Sequence, residues 1–144
     1  IPQSVSLGLN VRAARPETRA LVEQRIREIV SLTAQAHGVE AEIDYRQLVP
    51  PVVNTAAETR LMAQVCTEIV GEANVLTQVP RGFAGSEDFA WMLAALPGCY
   101  FMLGNGEGEF GGCMVHNPGY DFNDQVLPLG AACWVRLAQT YLVA

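Results

Sequence analysis

The chain has 144 residues, half of them hydrophobic and 17% charged, and its formal net charge is −6. Apart from two histidines, every basic residue is an arginine. This composition is typical of a globular protein with enough apolar side chains for a core. The negative charge argues against a nucleic acid or an anionic membrane as a partner. No apolar run approaches the ~20 residues that a membrane span requires.

The cysteines indicate a reduced environment. There are four, Cys66, Cys99, Cys113 and Cys133, and none forms a C-x-x-C pair. Cys66 and Cys133 fall on the apolar faces of predicted helices, where cysteine behaves as a small hydrophobic residue. The pattern therefore favours a cytoplasmic chain with buried thiols over a disulfide framework.

The first part of the sequence alternates between polar and apolar residues on either side of a helix. The alternation over residues 4–12 and again over 39–47 predicts two half-buried strands. Between them, Pro16 opens a helix that the pair His37-Gly38 closes. Two strands and a helix of this kind predict a small open sheet with helices on one face. His37 is simply a helix-end residue in this interpretation, and we assign it no chemistry.

Consecutive prolines, Pro50 and Pro51, predict a boundary in the chain. Proline fixes the backbone and donates no ladder hydrogen bond, so the pair holds this stretch extended. The sequence is therefore expected to form one part from residues 1–48 and a second from residues 49–144.

Helices and strands continue to alternate beyond the boundary. Asn54 is a candidate cap for a helix that ends at Gly71. A short strand is predicted for residues 75–79 and a buried strand for 99–103. A helix that is apolar on nearly all sides, and therefore enclosed, is predicted for 128–143. The predicted fold class is α/β (α+β).

A turn at Gly85 and Ser86 precedes a further predicted helix. Gly85 gives the backbone freedom, and Ser86 is a good N-cap before the acidic pair Glu87-Asp88. A plain helix start accounts for all of these residue types. The functional alternative is that the N–H groups at such an end bind a substrate carboxylate or an oxyanion.

The loop from Gly111 to Asp124 contains His116, two carboxylates and two asparagine amides. Its glycines and Pro118 exclude a helix or an inner strand. A strand before such a loop and a helix after it are the arrangement in which α/β enzymes present their site residues. On composition alone, however, such a loop is more often a solvated turn than a metal or catalytic site.

Three segments, taken in order, resemble a known family. They are Gly85-Ser86-Glu87-Asp88-Phe89, Leu103-Gly104-Asn105-Gly106 and His116-Asn117-Pro118-Gly119-Tyr120-Asp121-Phe122-Asn123-Asp124. Together they resemble the C-terminal signature of the metal-dependent aminoacylase-type amidohydrolases, which include hippurate hydrolases and auxin-conjugate hydrolases.

The resemblance implies that His116 is one ligand of a site for two divalent metal ions, either zinc or manganese. It also places Gly85 and Ser86 beside that site as substrate-binding residues. No catalytic residue is assigned in this chain, because the family's general-base glutamate and its other ligands belong to an N-terminal portion. Peptidase relatives have an arginine at the position of Ala90, so their recognition of substrate is not carried over. Cys113 is interpreted as structural.

The resemblance also implies an organisation and an activity for the chain. Residues 1–48 would form the second half of a lid domain, and residues 49–144 the C-terminal part of a catalytic domain. The expected activity is hydrolysis of N-acyl amino acids such as hippurate to a carboxylic acid and an amino acid. By itself, the chain is expected to be an inactive fragment.

Two questions stay open from the sequence. An uncovered sheet in the lid half favours a homodimer, but the charges of that sheet also suffice to protect its edge. The alternative to an enzyme is a non-catalytic dimerisation or binding module that retains the family's motifs. A Cys-x-His, a Glu-Glu pair and a further histidine upstream of Ile1 would favour the enzyme.

Overall fold

The computed structural model describes residues 2–78, 85–108 and 112–142. Four α-helices lie in these ranges: α1 (Pro16–Ala36), α2 (Ala56–Val70), α3 (Phe89–Ala95) and α4 (Leu127–Tyr141). A short 3-10 turn, Glu72–Asn74, follows α2, and another, Asp124–Val126, leads into α4. Within the described ranges, no helix has both the length and the apolar character needed to cross a membrane.

The chain divides into two compact units. The first comprises Ile1–Val52 with Gly82–Trp91, and the second comprises Val53–Arg81 with Met92–Ala144. The structure confirms the three long predicted helices as α1, α2 and α4. Helix α1 begins at the predicted Pro16, and the starts of the other two differ from the predicted ones by one or two residues. The division into a lid part and a catalytic part stays a prediction.

The predicted α/β (α+β) class is wrong for the described residues, which are helical and contain no strand or sheet. Among the described residues, none of the stretches predicted as strands forms a strand. These stretches are residues 4–12, 39–47, 75–78 and 99–103. Residue 79, at the end of the predicted short strand, lies outside the described residues.

The failure of the first strand prediction has a visible physical cause. An alternating pattern makes a strand only when a neighbouring strand accepts its hydrogen bonds and a core covers one of its faces. The apolar side of the first predicted strand has no such cover, since Val5, Leu7 and Leu9 are 77%, 87% and 74% exposed. The pattern is present, but its partners are not among the described residues.

In the first unit, the segment that follows α1 returns along one face of that helix. Three contacts tie the two together: Arg19 with Val49, Glu23 with Gln47, and Arg27 with Tyr45. Four residues rise about 6 Å along an α-helix, and two residues rise about 6.6 Å along an extended chain. The two spacings therefore match, and the contacts stay in register along the helix.

The second unit is built on the contact between α2 and α4. Its core contains the buried residues Met62, Val65 and Cys133, with Cys66, Ile69, Cys99, Phe101 and Leu137 packed against them. At the edge of this contact the ring centroids of Phe101 and Trp134 are 5.6 Å apart. On the outside, the Arg136 guanidinium pairs with the Glu68 carboxylate at 2.6 Å.

The expectation that the last helix is enclosed on nearly all sides is wrong for the described residues. Trp134 and Val135 on α4 are 61% and 58% exposed. Cys133 and Leu137 are one helical turn apart and face α2, whereas the two residues that follow Cys133 are rotated away from that face by about 100° and 200°. One face of α4 is packed, and the others are open.

Two side chains that precede α2 hold the segment that follows α3. The Asn54 amide donates to the carbonyl of Tyr100 and accepts from its N–H, both at 2.8 Å. The Thr55 hydroxyl donates to the carbonyl of Gly98 at 3.0 Å and accepts from its N–H at 2.9 Å. Asn54 therefore does not cap α2 as predicted, and Thr55 occupies the N-cap position instead.

We predict that Val65→Ala destabilises the chain by about 2 kcal/mol, because it removes two methyl groups from a fully buried site and leaves a cavity. The matched control is Val135→Ala on the open side of α4, which is expected to change the free energy of unfolding by less than about 0.5 kcal/mol. Urea unfolding followed by circular dichroism measures both. Equal losses would contradict the placement of the core.

Candidate functional site

His116 occupies an unusual backbone conformation. Its φ is 70°, the one positive φ of a non-glycine residue in the described ranges. For a residue with a side chain, the left-handed region costs about 1–2 kcal/mol. Such strain persists only where the surroundings hold it, and it is concentrated at functional sites. The imidazole itself is exposed.

Consecutive turns hold the His116 backbone in place. The N–H of Asn117 donates to the carbonyl of Met114 at 3.2 Å, and the N–H of Tyr120 donates to the carbonyl of Asn117 at 2.9 Å. The side chain of Asn117 accepts a further hydrogen bond from the N–H of Gly119 at 2.9 Å. The first of these turns contains His116, and the second follows it directly.

Cys113 packs inside the same loop. A Cβ at Gly119 would lie 3.3 Å from the Cys113 sulfur and 3.4 Å from Oδ1 of Asn117, so a side chain at that position would crowd the turn. Cys113 is half-buried by this contact. The loop is closed by the Tyr120 and Phe122 rings, which meet edge to face with centroids 5.1 Å apart. These contacts agree with a structural role for Cys113.

A single asparagine joins the glycine-rich loop after Leu103 to the end of the histidine loop. The Asn105 amide donates to the carbonyl of Asp121 at 2.8 Å and accepts from the N–H of Asn123 at 2.9 Å. Asn123 returns a bond from its own amide to the carbonyl of Asn105 at 3.2 Å. Its Oδ1 also accepts from the N–H of Gln125 and caps the 3-10 turn before α4.

Sequence analysis did not identify Asn105 and Asn123 as site residues. Both were visible as amides in polar loops, but a loop asparagine is usually explained by its own turn. The signal that identifies them is their mutual pairing across 18 positions of sequence. Only the packing of the chain reveals that pairing.

The predicted substrate turn lies in the first unit. Gly85 and Ser86 are exposed, and α3 begins at Phe89, three residues after the serine that was expected to cap it. Hydrogen bonds from Ala90 and Trp91 to the carbonyls of Glu87 and Asp88 form its first turn. The expected cap is therefore misplaced, while the substrate-binding role of Gly85 and Ser86 stays a prediction.

Ser86 lines a small cavity of about 110 Å³ in the first unit. Arg19 and Arg46 are among the other residues that line the same cavity. Arg46 is paired with Asp44, whereas Arg19 uses one N–H for the carbonyl of Val49. A guanidinium carries five N–H donors. This cavity has the chemistry to hold a carboxylate.

The described residues do not assemble a complete metal site. No group of three or more histidine, cysteine, aspartate or glutamate side chains in these ranges is placed to hold a metal ion. The assignment of His116 as a ligand stays a prediction, and Oδ1 of Asp121 accepts a hydrogen bond from the N–H of Phe122. A site for two ions would need further ligands besides those described here.

Comparison with known families decides the classification. Residues 3–140 match the model of the family described as Peptidase family M20/M25/M40. The chain belongs to this family. The resemblance to aminoacylase-type amidohydrolases that the sequence motifs carried is thereby confirmed.

Several named relatives of this M20-type chain are hydrolases. It is 30% identical over 146 residues to the IAA-amino acid hydrolase ILR1-like 2 of Arabidopsis thaliana. That alignment covers 99% of this chain and 32% of the relative. It is 31% identical over 142 residues to the hippurate hydrolase of Campylobacter jejuni, and the alignment covers 99% of this chain and 36% of that protein. A probable hydrolase of Synechocystis is 34% identical over 140 residues, and the alignment covers 93% of this chain and 35% of that protein.

The chain thus spans about a third of the length of these relatives. No solved structure matches it. The family therefore includes proteins named as hydrolases of IAA-amino acids and of hippurate.

We predict that Asn105→Ala destabilises the second unit by about 2 kcal/mol, because it leaves the Asp121 carbonyl and the Asn123 N–H without their partner. The control is Asn74→Ala, which removes one exposed bond to the carbonyl of Val70 and should cost about 0.5 kcal/mol. Thermal unfolding of both variants measures the difference. A loss for Asn105→Ala no larger than the control would contradict a joining role.

Proposed function

We propose that the chain is part of a metal-dependent amidohydrolase that cleaves N-acyl amino acids to a carboxylic acid and an amino acid. The observation that carries the proposal is the family match over residues 3–140 combined with the strained, exposed His116 in the family's motif. Relatives named as an IAA-amino acid hydrolase and a hippurate hydrolase support this substrate class.

In this proposal, His116 is one ligand of a site for two divalent ions, zinc or manganese. Ions of this kind polarise a carbonyl and lower the pKa of bound water. The turns on either side of His116 would orient its imidazole before any ligand arrives, which lowers the entropic cost of binding. The remaining ligands and the general base would come from a part of the protein outside this chain.

The substrate carboxylate is proposed to bind near Gly85 and Ser86. The cavity that both Ser86 and Arg19 line supports this, since serine and arginine side chains can each donate a hydrogen bond to a carboxylate. Charge-assisted hydrogen bonds from arginine to a carboxylate are among the stronger contacts available. At the position where peptidase relatives have an arginine, this chain has the buried Ala90, so a different cation is needed.

The isolated chain is proposed to be inactive. A divalent ion needs several deprotonated ligands acting together, and His116 is a single one. Without a positioned base, the contribution of about 10²–10⁴ from general acid–base catalysis is also missing. A cytoplasmic location is part of the same proposal and is supported by four free cysteines.

The test compares the two histidines in a polypeptide that carries this chain at the full length of the relatives. His116→Gly removes the imidazole but tolerates the positive φ, so the fold should be kept while hippurate hydrolysis falls by at least about 100-fold. Metal content measured by mass spectrometry should fall with it. The control, His37→Gln, changes the helix-end histidine and should leave turnover and metal content unchanged.

Three results would count against the proposal. Unchanged metal content and turnover in His116→Gly would exclude His116 as a ligand. Turnover by the isolated 144 residues in excess zinc or manganese would exclude the fragment interpretation. If the long protein binds no metal and hydrolyses no N-acyl amino acid, the alternative of a non-catalytic dimerisation or binding module is favoured.

The first unit is proposed to mediate a homodimer. Residues 2–11 contain no charged side chain, and Val5, Leu7 and Leu9 on alternating positions are largely exposed. Exposed apolar rows of this kind mark surfaces that associate. This exposed row supports the proposal, in place of the uncovered sheet that the sequence predicted and that the described residues do not form.

We predict that Leu7→Glu weakens the dimer by at least about tenfold, because it places a charge in the centre of the apolar row. Ser6→Glu, which adds the same charge on the opposite side of the segment, should leave association unchanged. Sedimentation velocity at tens of micromolar compares the two variants with the unsubstituted chain. A monomeric unsubstituted chain would refute the proposed dimer.

A further inference from the structure

Asn105 and Gly106 are the one asparagine–glycine pair in the sequence. Asparagine is a thermolabile residue. An asparagine followed by glycine is its most labile form, because glycine has no side chain to keep the preceding carboxamide away from the backbone nitrogen that attacks it. The pair lies in the glycine-rich loop after Leu103, and the proposed amidohydrolase function gives it no chemical role.

The structure requires a glycine at position 106. Gly106 has a φ of 95°, in a region of backbone conformation that strains any residue with a side chain. A Cβ at this position would lie 3.2 Å from Nδ2 of Asn123, and that same atom donates a hydrogen bond to the carbonyl of Asn105. A side chain at position 106 would therefore displace an amide that holds the neighbouring residue.

The structure also requires an asparagine at position 105. Nδ2 of Asn105 donates to the carbonyl of Asp121 at 2.8 Å, and Oδ1 accepts from the N–H of Asn123 at 2.9 Å. An aspartate has the same shape, but when ionised it has acceptors alone and no donor for the Asp121 carbonyl. The contacts between the two loops therefore depend on the chemically labile pair itself.

We infer that Asn105 is a modification site, which deamidates when the contacts between the two loops open. The backbone nitrogen of Gly106 loses its proton to water or hydroxide and attacks the side-chain carbonyl carbon of Asn105. A new C–N bond forms and the bond from that carbon to Nδ2 breaks. Nδ2 takes a proton and leaves as ammonia, and the remaining chain carries a cyclic succinimide.

Water opens the succinimide in a second step. It adds to one of the two carbonyl carbons of the ring, the bond from that carbon to the Gly106 nitrogen breaks, and the nitrogen regains a proton. Attack at the former side-chain carbon gives aspartate, and attack at the backbone carbon gives isoaspartate. In total, one amide and one water become a carboxylic acid and ammonia. Nothing is oxidised or reduced, and water is the one co-reactant.

The folded contacts control the rate of this reaction. Departure of Nδ2 breaks its hydrogen bond to Asp121, and rotation of the carboxamide toward Gly106 breaks the bond from Asn123. Gly106 itself is exposed, so water and base reach it. The rate should therefore follow the fraction of molecules in which these contacts are open.

Reclosing of the loops does not reverse the modification. An aspartate at position 105 would place a negative acceptor against the carbonyl of Asp121, and that carbonyl would lose its donor. Isoaspartate also lengthens the backbone by one carbon, which shifts the register of the glycine-rich loop. The modified loop therefore no longer holds the histidine loop at Asp121.

The test incubates the purified chain in mildly alkaline buffer, with and without urea, and maps deamidated peptides by mass spectrometry after digestion in acidic buffer. Cleavage after arginine and after aromatic residues places each asparagine in a different peptide. Asn105 should be modified before any other asparagine, and at least about tenfold more slowly in the folded chain than in urea. Equal rates in the two conditions, or earlier modification of another asparagine, would overturn the inference.

Two variants test the control by the loop contacts. Asn123→Ala removes the bond to the Asn105 carbonyl and should speed deamidation of the folded chain by about fivefold. Asn74→Ala removes an exposed bond to the carbonyl of Val70 and should leave the rate unchanged. In urea, both variants should react as fast as the unsubstituted chain. An unchanged rate in folded Asn123→Ala would contradict this control.

Asn105→Asp reports the consequence of the modification. It should lower the unfolding temperature by on the order of 5 °C, because the Asp121 carbonyl loses its donor and meets a negative charge. An unfolding temperature equal to that of the unsubstituted chain would show that the modification leaves the contacts intact and would overturn this step. None of these measurements uses a metal or a substrate, so their outcome is independent of the proposed amidohydrolase activity.

Discussion

The contact between α2 and α4 determines where the other described parts of the second unit lie. Val65 and Cys133 exclude water at its centre, and Phe101 packs against the same core. The segment that contains Phe101 is fixed a second time by Asn54 and Thr55 at the start of α2. The glycine-rich loop that continues from this segment then carries Asn105 to the histidine loop. The position of His116 thus depends, through several steps, on an apolar core.

Asparagine side chains replace strand pairing in this unit. A carboxamide presents one acceptor and two donors, so it can bond the N–H and C=O of another residue much as a neighbouring strand would. Asn54 does so at Tyr100, and Asn105 does so at Asp121 and Asn123. Polar backbone groups in segments without a ladder are satisfied in this way. The same bonds hold the loop in which His116 has its strained φ.

Exposed apolar side chains are the other general feature of the chain. They occur on α4, at Trp134 and Val135, and in the first unit, at Val5, Leu7 and Leu9. Large apolar surfaces left in water usually mark places where other protein surfaces bind. A chain that spans about a third of the length of its relatives is in keeping with such uncovered faces. They support the proposals of an incomplete catalytic unit and of a subunit contact.

The sequence by itself was sufficient to predict the three long helices, the family and the presence of a loop around His116. Helix ends depend on nearby residues, such as Pro16 and Gly38 for α1, and a family motif is read from residue types in order. Only the tertiary structure decided that the alternating stretches form no sheet among the described residues, that Asn54 holds Tyr100, and that Asn105 joins two loops. It also decided that Cys66 on α2 and Cys133 on α4 lie in one apolar core. Each of these outcomes depends on a partner distant in sequence, and a local pattern carries no information about which distant groups packing will bring together.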